Sequence, residues 1–316
     1  MPQNLTDLPI DITEHAIGKY LTLKDTTALT ATSKITQGLF QPARLQKMAN
    51  KLLLQVMRGE QDMAENILKI RPELLMMTGT ATDYSGRTFE TTAFRYALWA
   101  LDIRYMCHMM LDCLPCSPQG KAINQELLTQ FKSQTQEGLD YELDGMTIHE
   151  AHYDFAPIKA AIQTYVNEYD NWYATSNWDA MRHQWSNVVG LAQRYLPANV
   201  AQHYCDTDEE FPPAPPFNKK TFKRSLEFKN YISGVWEFWF EPVSSTSGLG
   251  VNFGIAGGSG WGCPEGAGEA WTTRETAGSN LAALTSLCEM GNGGLVPLMQ
   301  RLEGPIQKPG MVQKRY

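Results

Sequence analysis

The sequence predicts a mainly α-helical protein with a small β-containing part at its C-terminal end, and three observations predict it. Apolar residues recur at spacings of three and four along most of the chain before the proline-rich stretch at 206–218. Serine, aspartate and proline stand where helices begin and end. Beyond 218 the composition shifts to glycine and to aromatics in near-alternation. With 316 residues, 43% hydrophobic and 19% charged, the chain is long enough for two or three compact units with a sizeable core. Its 27 basic residues face 34 acidic ones, a net charge of −7, so it carries no basic footprint for nucleic acid or an anionic membrane. It contains no apolar run of about eighteen residues, and MPQNLTDLPID lacks a basic stretch leading into an apolar one, so neither a membrane span nor an ordinary secretory signal is expected. The cysteines (Cys107, Cys113, Cys116, Cys205, Cys263, Cys288) are scattered, which points to reduced thiols in a cytosol-like compartment.

The first unit, residues 1–48, centres on Leu8 to Met48. Leu8-Pro9 opens a short helix with Ile12, Ile17, Tyr20 and Leu21 on one stripe and Asp11 and Glu14 in its first turn, where the helix dipole favours negative charge. Leu23-Lys24-Asp25 reads as a tight link. A second helix carries Leu29 and Ala31 to Ser33-Lys34, and a third runs through Ile35, Leu39 and Phe40 to Pro42, which breaks the pattern. So short a set of helices buries little apolar surface alone and must dock on its own chain or on a partner. The pattern resembles the F-box, the three-helix motif that ties substrate receptors to the Skp-type adaptor of cullin–RING ubiquitin ligases. The residues that carry the likeness are Leu8-Pro9, Ile17 to Leu21, the Leu23-Lys24-Asp25 hinge, Leu29 and Ser33-Lys34. It departs from the family after Ser33-Lys34, where Gln37, Gly38 and Leu39 precede the first aromatic, Phe40.

Residues 49–117 follow as helical hairpins. Lys51 to Met57 leads through Arg58-Gly59 into Met63, Ala64, Ile67 and Leu68, and Pro72 and Leu74-Leu75 close the pair. Asp83 to Thr88 holds a glycine suited to a turn, Thr92 to Leu98 starts a new helix, and Met106 to Leu111 continues it. These pieces resemble ankyrin repeats, with Thr92-Ala93-Phe94 and Ala97 standing where that family has Thr-Pro-Leu-His-x-Ala. The endings Ile67-Leu68 and Met110-Leu111 lie 43 residues apart, longer than the family's period of roughly 33, so an inserted loop is expected. Such hairpins bury their faces only by stacking and need neighbours on both sides.

Residues 118–205 read as helices at about 124–136, 157–173 and 178–195, rich in aromatics (Tyr165, Tyr169, Trp172, Tyr173, Trp178, Trp185) that suit a core between helices or a groove for a peptide. Between them, Asp140 to Phe155 contains Asp144-Gly145 flanked by alternating residues, a hairpin signal. The acidic, proline-rich connection 206–218 is expected to be extended. In the last unit, 219–316, Gly234 to Pro242 reads as a strand with Trp236, Phe238 and Phe240 on one face, Val251 to Ile255 as a second strand, Ser279 to Met290 as a helix and Val296 to Leu302 as a separate short one.

Chemistry has few candidates. Cys113-Leu114-Pro115-Cys116 follows a helix instead of preceding one, unlike a thioredoxin-type motif. Joined with His149 and His152 it would offer zinc ligands, at a separation that matches no standard finger, and His149-Glu150-Ala151-His152 is one residue short of the HExxH of zinc peptidases. The Gly254 to Pro264 run holds Ser259 and Cys263 but has neither the Gly-Lys-Ser/Thr of a phosphate loop nor a GxSxG. Cys263 as a nucleophile would need a base from His149, His152, His183 or His203.

The order of units is similar to that of effector proteins that intracellular bacteria deliver into eukaryotic cells. The resemblance implies a non-catalytic adaptor: Leu8, Pro9, Ile12, Ile17, Leu21, Leu23 and Leu29 would contact the Skp-type subunit, and the rest would present a host target in the host cytoplasm. No cofactor is expected. The alternatives are an interaction scaffold in which the N-terminal helices cap the fold, and a cysteine-dependent enzyme using Cys263.

Overall fold

A computed structural model describes residues 17–206, 208, 211–215, 217, 222, 224–257 and 266–306. The fold is mainly α, as the sequence predicts. A short 3-10 turn, Gly18–Tyr20, precedes α1 (Leu23–Thr32) and α2 (Lys34–Met57). Leu23, read as part of a link, is the first residue of α1, because Thr22 and Asp25 close a reciprocal capping box around it. Ser33 ends α1 and caps α2 at once, again in a capping box, with Thr36. A single extended residue therefore turns the chain from one helix into the next.

Pro42 does not end a helix: α2 runs through it to Met57. A proline inside a helix removes the bond to the carbonyl four residues back and crowds it. Here that carbonyl belongs to Gly38, which is exposed and has nothing within 4 Å of its Cβ position. Water can take the carbonyl, and the far half of the helix is anchored by Leu52, Leu53, Val56 and Met57 in the core. The same arrangement recurs in α11 (Arg274–Glu303), one helix where two were expected: Pro297 sits four residues after Gly293, also exposed and open.

Two apolar cores are present among the described residues. The first gathers the second half of α2, α3 (Gln61–Ile70), α4 (Ala93–Trp99), α5 (His108–Asp112) and α6 (Pro118–Glu137) around an antiparallel sheet. That sheet is β1 (Gly79–Thr82), β2 (Thr88–Thr91), β3 (Leu139–Leu143) and β4 (Met146–Glu150), hydrogen-bonded in that order. Asp83 to Arg87 thus turns between strands and not between ankyrin-type helices. The expected hairpin at Asp144-Gly145 is β3–β4, with φ of 51° and 76° at the two turn residues, the positive values that a two-residue hairpin turn demands.

The second core lies beneath α7 (Ala156–Ala174), then α8 (Trp178–Arg182), a π-turn at His183–Val189 and α9 (Gly190–Arg194), which continue one another as a single rod, and α10 (Ala198–Tyr204). Its sheet has the order β6-β5-β8-β7, made of β5 (Glu227–Asn230), β6 (Trp236–Phe238), β7 (Gly254–Ala256) and β8 (Ala267–Glu269). Trp239, which interrupts the alternation of the β6 segment, is buried and donates its indole N–H to the Gln193 carbonyl at 3.2 Å.

Long α11 belongs to both cores. Ala277, Ala283, Leu284 and Leu287 enter the second, and Leu298 and Leu302 the first. Two buried ion pairs reinforce the junction. Arg87 donates to Asp83 at 2.7 Å and to the Tyr195 carbonyl at 2.9 Å, beneath the Trp99 ring. Arg224 donates to Asp102 at 2.9 Å and to Gln202, whose amide in turn donates to the Gly59 carbonyl at 3.2 Å.

Candidate functional site

The N-terminal helices are the part of the described structure that neither core absorbs. In α1 the inward positions are not leucines but Thr26 and Thr30, whose hydroxyls donate back to carbonyls of their own helix. Thr-rich LKDTTALTAT has weak helix propensity and a weak apolar face, so α1 depends on its cap and on α2. Asp25 supports that cap as an anion: hydrogen bonds from Thr22 hold its carboxyl below the usual range. Phe40 on α2 is fully buried together with Thr36, yet belongs to neither core. Membership of the first core begins only at Ala49, with Leu45 and Met48 touching its edge. Residues 17–44 therefore form a helical corner carried on the first half of α2, while the second half of that helix is embedded in the body.

Of the residues expected to contact a partner, Leu8, Pro9 and Ile12 lie outside the described residues. Ile17, Leu21, Leu23 and Leu29 all fall on this corner and are half-buried. Tyr20 and Ile35, absent from that set, are the most exposed apolar side chains there, at 81% and 61%. Ile35 stands four residues before Leu39, a pairing that the helical period makes visible in the sequence. A groove of about 600 Å³ runs between the 3-10 turn and α2, lined by Gly18, Lys19, Pro42, Ala43, Gln46, Lys47 and Asn50.

The candidates for chemistry do not converge. His149 on β4 is exposed and pairs with Asp140 of β3 at 2.6 Å. His152 lies half-buried against the Leu98 carbonyl, its pKa lowered by desolvation. His183 opens the π-turn, and His203 is buried on α10, stacked on Phe222 at 4.4 Å. Cys113 ends α5, where burial pushes its thiol up to about 12, and Cys116 is exposed just before α6. Burial also raises the thiols of Cys107 and Cys205, the opposite of what a nucleophile needs. Cys263, with the glycine-rich run around it, lies outside the described residues. Among the described residues no group of three or more His, Cys, Asp or Glu side chains is arranged to hold a metal ion, and no helix is long and apolar enough to cross a membrane.

A second surface gathers aromatics that, in the sequence, suit a core between helices or a groove for a peptide. Tyr169, Tyr173 and Trp172 on α7, Trp178 on α8 and Trp271 before α11 form a connected set of rings. The set begins on the buried floor of Tyr165 and Trp185 and reaches solvent.

Comparison with known proteins places the chain in a lineage. The model of the CBUA0006 C-terminal domain matches residues 157–302, which runs from the second residue of α7 to the penultimate residue of α11 and so takes in most of the second core and the helix that ties it to the first. A Coxiella burnetii protein (strain RSA 493 / Nine Mile phase I), the uncharacterized protein CBUA0006, is 36% identical over 273 residues, covering 82% of this chain and 77% of its own length. No solved structure matches. The likeness extends well beyond the C-terminal domain into the first core, and the chain belongs to the CBUA0006 family.

Proposed function

We propose that the protein is a non-catalytic adaptor that bacteria deliver into the host cytoplasm through a specialised secretion system. There its N-terminal helical corner would dock on the Skp-type subunit of a cullin–RING ubiquitin ligase, while the two-core body presents a host target. The observation that carries the reading is the position of the corner: Phe40 is fully buried yet belongs to neither core, and α1 and the 3-10 turn pack on α2. A helical corner that merely capped the fold would spend its apolar side chains on the body. This one keeps Tyr20 and Ile35 in solvent and Ile17, Leu21, Leu23 and Leu29 half-covered, an apolar strip of the kind that supplies affinity at a small interface. One further point supports it: the relative belongs to an intracellular bacterium.

The test is titration of the purified full chain with a purified Skp-type subunit, using the intact chain and a Leu21→Asp/Leu23→Asp variant. The reading expects saturable binding by the intact chain and a loss of at least about tenfold in the variant, the effect of about 1.4 kcal/mol at a contact, with the thermal transition of the body retained. Absence of binding by the intact chain would leave the helices as a structural feature of an interaction scaffold.

A further inference from the structure

From the ring set on α7, α8 and the segment before α11, we infer that this face binds a cationic, lysine- or arginine-bearing segment of a partner protein. Tyr173, Trp178 and Trp271 are 56%, 39% and 41% exposed, large aromatic surfaces that a monomer has reason to cover. They are also fixed in place. Tyr165, fully buried, donates its hydroxyl to the Thr272 carbonyl at 2.7 Å and accepts the Thr272 N–H at 3.2 Å, which pins the residue next to Trp271 onto α7. Ser176, at a φ of 54°, and Asn177, whose side chain accepts the Ala180 N–H, turn the chain so that Trp178 meets Tyr173 edge to face at 5.3 Å. Tyr169 and Tyr173 stack nearly parallel, with 15° between their planes, and Trp178 lies 6.5 Å from Trp271. Perpendicular and parallel rings together make walls that an alkylammonium or guanidinium can approach from the ring faces.

Charge identifies the occupant. Glu168, Asp170, Asp179 and Glu275 are exposed around these rings, and Tyr169 has its pKa raised by burial first and then by the nearby carboxylates of Glu275 and Asp170. Against them stand Arg274, which pairs with Asp170 at 3.3 Å, and Arg182, at 4.0 Å from a fully exposed Asp179. The chain has no lysine between Lys159 and Lys219. An acidic rim around exposed aromatic faces repels phosphate and carboxylate and attracts cations, which disfavours a nucleic acid or an anionic membrane as occupant.

The inference deepens the adaptor reading by naming the chemistry of the target segment. Its test contains no ligase subunit, so either claim can fail without the other. The purified full chain is titrated with a fluorescently labelled short oligolysine, and with oligoglutamate for comparison, at low and high salt. Expected are saturable oligolysine binding that weakens with salt, no oligoglutamate binding, and a loss of about tenfold in Trp178→Ala/Trp271→Ala, the scale of partly desolvated cation–ring contacts. Trp178→Phe keeps a ring and should retain most of the affinity, and thermal melts of every variant establish that they fold. Unchanged oligolysine binding in the folded double variant, or equal binding of oligoglutamate by the intact chain, would overturn the inference.

Discussion

At the scale of single residues, the buried ion pairs define what this chain can least tolerate. Arg87 and Asp83 are both nearly inaccessible, and Arg87 also serves the Tyr195 carbonyl across the junction. Replacing Arg87 by methionine would leave Asp83 as a buried, uncompensated charge, for an expected loss of about 3–5 kcal/mol in chemical denaturation. Adding Asp83→Asn, which removes the charge and keeps an acceptor for the backbone N–H groups of Ser85 and Arg87, should recover part of it. The histidines set a pH dependence. Burial, aided by the nearby Arg301 guanidinium, lowers the pKa of His108 below 6.5, and burial does the same at His152. The unfolded chain therefore takes up these protons first as pH falls through 6.5, so stability rises with pH in that window and declines just below it. Glu150, raised above 4.5 by burial, works in the opposite sense at lower pH. A His108→Gln/His152→Gln variant should show a flatter stability profile around pH 6.5 in denaturant titrations; an unchanged slope would contradict the assignment.

At the scale of elements, the sequence was readable wherever a local signal and the tertiary environment agreed. Pro157 sits in the first turn of α7 and Asp144-Gly145 makes its hairpin turn, whereas α6 begins at Pro118, earlier than the start expected near 124. Legibility failed where the cost of a residue depended on what lay beside it. Pro42 reads as a break and residues 291–295 as a gap between two helices, yet Pro42 and Pro297 each lose a bond to the carbonyl of an exposed glycine that water can satisfy, while the helix beyond is held by the core. The strands β1 and β2 are only four residues each and threonine-rich, too short for an alternation to stand out; β3, distant in sequence, completes their sheet. Pro42→Ala should restore the missing hydrogen bond and strengthen the first half of α2 by up to roughly 3 kcal/mol of local helix propensity. Slower amide exchange across 34–48 would register it, with the exchange of residues 52–57 unchanged.

For the whole molecule, the division of labour follows from where burial stops. The Phe40 corner was legible as a helical unit, but not its attachment, since nothing in the sequence says that one helix would serve both corner and core. The two-core body was less legible still, because α11 contributes to both cores from the far end of the chain and the Arg224–Asp102 contact spans 122 positions. The aromatics of α7 and α8 were legible as a core or a peptide groove, but the approach of Trp271 to Trp178 was not, since it depends on the contact of Tyr165 with Thr272. As proposed, the corner is a docking element carried on the two-core body. Its most direct test is hydrogen–deuterium exchange of the full chain with and without a purified Skp-type subunit. Protection that appears at residues 17–48 and leaves 157–302 unchanged is the predicted result. Exchange that is identical with and without the subunit, or protection confined to the body, would contradict it.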